Sequence, residues 1–217
     1  PLWLDATGRR LPVPLYPGFD ALGALEAILR SGHDHSWFLL YERIIGREFA
    51  LSGSEQNPDL TAKSVLGVLR RGRGKTLTPV QKFVQAGKDF VVANSVSELV
   101  SKMNGLTQKN LVDAAIVERE VAGRDRDLGN KFGKDAQIGA MREAGAYIGD
   151  RLIRVAKPHK LTDPKAGPLI AVRLWVLTRK TLGGLETDLQ SRMLAEGGAP
   201  LPGLYAAGEV GGFGGGG

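Results

Sequence analysis

The 217 residues contain no cysteine. That excludes a disulfide scaffold, a thiolate metal site and a cysteine nucleophile, and it suits a cytosolic address. Histidine is scarce, with three copies. His33 and His35 stand two apart and His159 is remote, so no metal-ligand spacing exists and no metal is expected; surface roles are expected for His33 and His35, while His159 could line a cleft near the hinge. No run reaches about 18 consecutive apolar residues, so a membrane span, and with it a membrane partner, is not expected. No repeat of fixed period is present. The chain opens Pro1-Leu2-Trp3-Leu4-Asp5 without an initiator Met or a signal-peptide pattern, and it closes on a bare glycine run. The expectation is a piece of a longer polypeptide, cut inside a ligand-binding motif.

What is present is ordinary for a globular chain: 42% hydrophobic and 24% charged residues. The length allows one large domain or two small ones. The formal charge is +6. The densest basic run is Arg70-Arg71-Gly72-Arg73-Gly74-Lys75. No aromatic side chains interleave with it to stack on bases, so it reads as a solvated loop, and nucleic acid is not the expected partner. A basic surface also suits an anionic cofactor or substrate.

Along the chain, Trp3-Leu4-Asp5 reads as a short strand turned at Gly8-Arg9-Arg10, and Pro12, Pro14 and Pro17 mark an extended loop. Leu22, Leu25, Ile28 and Leu29 recur at helical spacing between Asp20 as cap and Gly32 as stop. Trp37–Tyr41 reads as a buried strand. The pattern predicts a helix over 79–86 and a strand over 90–93. Ser95 and Glu98 form a capping-box pair. Thr107 is expected to start the next helix, ending near Val121, with Gly123–Asp127 as a charged loop. Residues 136–148 carry a weak helical pattern. Gly167–Leu177 is long, apolar and β-rich. A turn and second strand are expected over Thr181–Asp188, and a final buried strand over Leu204–Ala207. Pro164–Gly167 reads as a hinge between a mixed front part and a sheet-rich back part.

The most informative stretch is Pro202-Gly203-Leu204-Tyr205-Ala206-Ala207-Gly208-Glu209-Val210. An apolar run reaching a small residue, then Gly-Glu and a glycine-rich turn, brings backbone amides and one carboxylate to a polar ligand. Ala171-Val172-Arg173, Thr181-Leu182-Gly183-Gly184-Leu185 and this motif occur in an order and spacing that resemble FAD-dependent dehydrogenases of the fumarate reductase and 3-ketosteroid dehydrogenase group. Gly8-Arg9-Arg10-Leu11, Trp37–Tyr41 and Ser95–Glu118 agree with that group's front part.

The resemblance implies an α+β fragment of an α/β flavoprotein. Residues 1–165 would form a substrate-capping region. Residues 166–217 would form the C-terminal segment of a Rossmann-like FAD-binding domain lacking its N-terminal βαβ unit and G-x-G-x-x-G turn. It implies FAD as cofactor and hydride exchange between flavin N5 and a substrate CH–CH group, on a ketosteroid-like or other ketone. It also implies dependence on the missing N-terminal part of the same polypeptide, so the isolated chain is expected to be inactive.

The same resemblance assigns residues. Glu209 would accept hydrogen bonds from FAD hydroxyls, with Ala207, Gly208 and Val210 contributing backbone. Gly183 and Gly184 would pass close to the isoalloxazine ring; as a bare pattern they equally fit a hairpin turn. Arg179 and Lys180 occupy the place of a His-His pair before Thr181, where a cation can polarise a carbonyl oxygen; the other reading is a solvated basic turn. Tyr16 lies near an acidic tyrosine of the ketosteroid enzymes and could move a proton, or be an ordinary loop tyrosine. No arginine stands between Leu11 and Leu29, which argues against fumarate reduction. Two other classes remain open at this level: a basic nucleic-acid or interaction module, and a flavin-free ligand-binding remnant.

Overall fold

The computed structural model describes residues 1–16, 20–47, 58–72, 78–148, 158–176 and 184–211. The chain divides into two compact units, Pro1–Val176 and Leu177–Gly217. The first unit runs β1 (Leu2–Asp5), α1 (Ala21–Arg30), β2 (His35–Tyr41), α2 (Glu42–Arg47), α3 (Pro58–Thr61), α4 (Val65–Gly72), α5 (Thr78–Ala86), β3 (Phe90–Ala93), α6 (Val96–Thr107), α7 (Ala114–Gly129), α8 (Ala136–Ala144) and β4 (Leu169–Trp175). The second carries β5 (Arg192–Leu194), β6 (Pro200–Tyr205) and a 3-10 turn at Gly208–Gly211. Among the described residues no helix is long and apolar enough to cross a membrane.

The first unit is built on an antiparallel sheet in the order β1-β2-β4-β3. Side chains alternate across a strand, so each strand feeds two layers. Leu2, Leu4, Trp37, Leu39, Tyr41, Leu169 and Ala171 share one face with Leu99, Val100 and Met103 of α6 and Val117 and Val121 of α7. The opposite face carries Leu40 and Ile170, packed with Ile45 of α2 and Val84 of α5. The central strand β2 is therefore buried on both sides, as its unbroken apolar run predicts. Each fully buried leucine-sized side chain contributes about 1.5–3 kcal/mol relative to exposure. Leu4 and Trp37 lie in register across β1 and β2, which fixes the alignment of the strand pair.

Local signals act where expected. Asp20 accepts from the Gly23 amide at 2.8 Å at the start of α1, and Gly32 follows the helix at φ +76. Ser95 Oγ accepts from the Glu98 amide at 3.2 Å. The Glu98 carboxylate reaches back one residue further than a standard capping box, to the Asn94 amide at 3.0 Å.

Several expectations are corrected. Leu22 and Leu29 of α1 are exposed; Ala24 and Ile28 make the buried face. Thr107 ends α6 rather than opening a helix, because its hydroxyl donates back to the Met103 and Asn104 carbonyls. Asp113 caps the next helix instead, accepting from the Ala115 amide at 2.8 Å. The Gly123–Asp127 segment is not a loop. It lies inside α7, because the spacing Val117, Val121, Arg124, Asp125 keeps one helical face toward the core. Pro164–Ala166, the first three residues of the stretch expected to be a hinge, form a 3-10 turn with Ala166 buried, which leaves that expectation open. No strand forms over the described residues 184–188; Thr187 makes an isolated bridge with Met193. The last strand ends at Tyr205 and is largely exposed rather than buried. Pro200 and Pro202 lack an N–H, so β6 is suited to an edge, and among the described residues it pairs with β5 alone.

Candidate cofactor-binding turn

The second unit is held together by backbone bonds. The Ala206 amide donates to the Ser191 carbonyl at 3.0 Å, and Ala206 is buried where β6 ends. The Leu194 amide donates to the Glu186 carbonyl at 2.9 Å, laying the 184–187 segment beside β5. Asp188 closes the connecting turn. Its carboxylate accepts from the Gln190 amide at 2.9 Å, the Arg192 amide at 3.0 Å and Arg192 Nε at 2.7 Å.

Past Ala206 the chain turns. Gly208 adopts φ +65, a left-handed conformation that a side chain resists. The Gly208–Gly211 turn follows, and the Leu185 amide donates to the Val210 carbonyl at 2.9 Å. That single bond joins two segments the sequence singled out separately, Gly184 and 207–210. Ala207, Gly208, Glu209 and Val210 are all exposed on it. No atom lies within 4 Å of where a Gly208 Cβ would stand. An open glycine, an exposed carboxylate and a fixed backbone turn fit a polyhydroxylated, phosphate-bearing cofactor: the backbone can approach it and Glu209 can accept its hydroxyl hydrogens.

Arg179, Lys180 and Gly183 lie outside the described residues. Tyr16 belongs to the first unit. It is half-buried ahead of α1, and its amide donates to the Pro14 carbonyl at 2.8 Å.

Polar chemistry that the sequence reading missed sits inside the first unit. Arg124 and Asp125 are buried side by side on α7, with Arg124 Nη1 donating to Asp125 Oδ1 at 3.1 Å and to the His159 carbonyl at 3.1 Å. Asp125 also accepts from the Leu161 amide at 2.8 Å, the Thr162 amide at 2.9 Å and the Thr162 hydroxyl at 2.8 Å. Burial lowers the pKa of the Arg124 guanidinium, and the neighbouring Asp125 charge opposes the shift. The signal in the sequence was the four-residue step from Val117 to Val121 to Asp125, which continues the α7 core face through the charges.

His35, expected at the surface, is buried with its Nδ1 2.9 Å from Asp34 Oδ1. The Trp37 and Trp175 rings stand beside it, with centroids at 5.7 and 6.0 Å. The hydrogen bond from His35 holds the Asp34 carboxyl below its ordinary value. Among the described residues no group of three or more His, Cys, Asp or Glu is placed to hold a metal ion.

Comparisons with known proteins show the family. The chain is 61% identical over 216 residues to a KsdD-like steroid dehydrogenase of Mycolicibacterium smegmatis, covering all of this chain and 40% of that protein. It is 59% identical over 217 residues to the KsdD-like steroid dehydrogenase Rv0785 of Mycobacterium tuberculosis, covering 38% of it. The chain thus spans about 40% of the length of the curated relatives it matches. A 3-ketosteroid delta1-dehydrogenase of Sterolibacterium denitrificans, solved with 1,4-androstadiene-3,17-dione, aligns over 94% of this chain and 32% of its own, at 19% identity and a TM-score of 0.49. The model of the FAD binding domain matches residues 2–217, and the chain belongs to that family.

Proposed function

We propose that the polypeptide to which this chain belongs is an FAD-dependent dehydrogenase acting on a CH–CH bond of a ketosteroid-like or other ketone substrate. Residues 166–217 supply the turn against the cofactor, and residues 1–165 supply the substrate-capping region. The observation that carries this reading is the bond from the Leu185 amide to the Val210 carbonyl, which gathers Gly184, Gly208 and Glu209 on one exposed turn. Bound FAD supplies hydride transfer at N5. This chain's residues bind and orient. Glu209 accepts hydroxyl hydrogens from the cofactor, and Gly184 and Gly208 let the backbone come close. Lys180 and Arg179 polarise the substrate carbonyl as negative charge develops on its oxygen, and Tyr16 transfers a proton at the α-carbon. The steroid class is suggested by the names of the relatives at about 60% identity. Because the chain covers some 40% of their length, the 217 residues alone are expected to be inactive.

The test is FAD affinity in the full-length polypeptide, read by flavin fluorescence. A hydrogen bond to a charged group is worth about 1.5–3 kcal/mol. Glu209→Gln should therefore weaken FAD binding about tenfold or more. An unchanged affinity sinks the Glu209 assignment, and failure of the yellow holoprotein to reduce an electron-accepting dye with any ketosteroid sinks the substrate class.

A further inference from the structure

The basic run singled out in the sequence is left unused by the proposed chemistry. Its neighbourhood is more extreme than the run itself. Between Leu60 and Lys88 there are seven Lys or Arg and no Asp or Glu. That segment carries a formal +7 against +6 for the whole chain, so all the other residues together sum to −1. The positive charge of this protein is concentrated in one stretch.

Within that stretch stands α4, held at its start by Ser64, whose Oγ accepts from the Gly67 amide at 3.1 Å. At about 100° per residue, Val65, Leu69, Leu66 and Arg70 follow one another around an arc of about 140°. All four are exposed, the three apolar ones by 73%, 59% and 69% in that order. The other side of the helix is the attached one. A Cβ on Gly67 would lie 2.8 Å from the Asp59 Cβ, and Val68 is half-buried. Lys63 is exposed two residues ahead of the helix. The helix therefore seats its small residue against the protein and turns its large aliphatic residues outward, with Arg70 at one end of the arc and Lys63 in the turn ahead of the helix.

We propose that this face of α4 docks on an anionic lipid surface. Single exposed leucines are common on soluble proteins, but an aliphatic arc bordered by Arg70, with Lys63 just ahead of the helix and no acid in the segment, is the pattern of a helix lying in a membrane interface. The aliphatic groups enter the headgroup boundary while the cations meet anionic headgroups. Nucleic acid would place cations and aromatic rings at the centre of the face; here the centre is aliphatic and α4 has no aromatic residue. The expectation of no membrane partner rested on the lack of a spanning run, and surface docking needs none. The proposal is independent of the flavin chemistry above.

The experiment is co-sedimentation of the full-length, FAD-loaded polypeptide with vesicles of mixed phosphatidylglycerol and phosphatidylcholine, and with vesicles of phosphatidylcholine alone. Binding is expected to the anionic vesicles and to weaken as salt is raised. Each cation at the surface contributes about fivefold, the equivalent of about 1 kcal/mol. Lys63→Gln/Arg70→Gln should thus lower vesicle binding by about twentyfold or more. Leu66→Ser/Leu69→Ser should lower it by about tenfold or more. Both variants should keep the parent's Tm, because their side chains are exposed. Absence of binding to anionic vesicles overturns the proposal. So does binding that the leucine variant leaves intact. A large drop in Tm for the leucine variant also overturns it, since the face is then filled by the rest of the polypeptide. Preferential, leucine-independent binding to duplex DNA would assign the charge to nucleic acid instead.

Discussion

Removing the Asp125 carboxylate should be among the most damaging single changes in the first unit. Asp125 accepts from two backbone amides, one hydroxyl and the buried Arg124 guanidinium, all between 2.8 and 3.1 Å. In Asp125→Ala the Leu161 amide loses its partner in a buried place, at about 1–3 kcal/mol. Arg124 keeps its charge with only the His159 carbonyl left among the partners described. Breaking a buried ion pair from one side costs about 3–5 kcal/mol in total. For a unit of this size each 1 kcal/mol moves Tm by about 2–4 °C, so the expected drop is roughly 6–20 °C. Thermal unfolding of the full-length polypeptide is the assay. Arg124→Met/Asp125→Ala should cost clearly less than the two single changes added together, because no lone charge is then buried. A drop of under about 3 °C for Asp125→Ala, or strict additivity in the cycle, refutes the reasoning.

Two further outcomes concern pH and backbone. Burial works against ionisation of Asp135, but hydrogen bonds from Arg10 and the Ile138 amide outweigh it and hold the carboxyl below its ordinary value. A depressed folded pKa stabilises above the unfolded value, about pH 4, and that stability is lost as pH falls through the lower folded value. Asp135→Asn should therefore flatten the acid limb of a stability–pH curve below about pH 4; an unchanged limb counts against the pairing. Gly8 and Gly32 both adopt positive φ, at +86 and +76. A Cβ on Gly8 would stand 2.7 Å from Val112 Cγ1 and 2.8 Å from Val117 Cγ2, whereas nothing lies within 4 Å of one on Gly32. Gly32→Ala should cost about 1–2 kcal/mol of strain, and Gly8→Ala roughly 3 kcal/mol or more from added overpacking. Equal costs in denaturant titrations would show that the core around Val112 yields.

Much of this protein was legible from its residues because the relevant forces are local. The strand at Trp37–Tyr41, the caps at Asp20 and Ser95, and the C-terminal Gly-Glu motif each depend on a few neighbouring side chains. The motif and its spacing were enough to point to an FAD-binding family, which the match over residues 2–217 bears out. What could not be read locally was which side of an element meets the core. Leu22 and Leu29 look like core residues and face outward, while Arg124 and Asp125 look like loop charges and are buried. Their placement is decided by partners far along the chain: the amides of Leu161 and Thr162 satisfy Asp125, and only the folded chain brings them to α7. The candidate site divides in the same way. The residue types at Gly184 and 207–210 follow from sequence, since only glycine frees the backbone and only a carboxylate is a charged acceptor. Their meeting on one turn is tertiary, made by a backbone bond from Leu185 to Val210 that no side chain encodes.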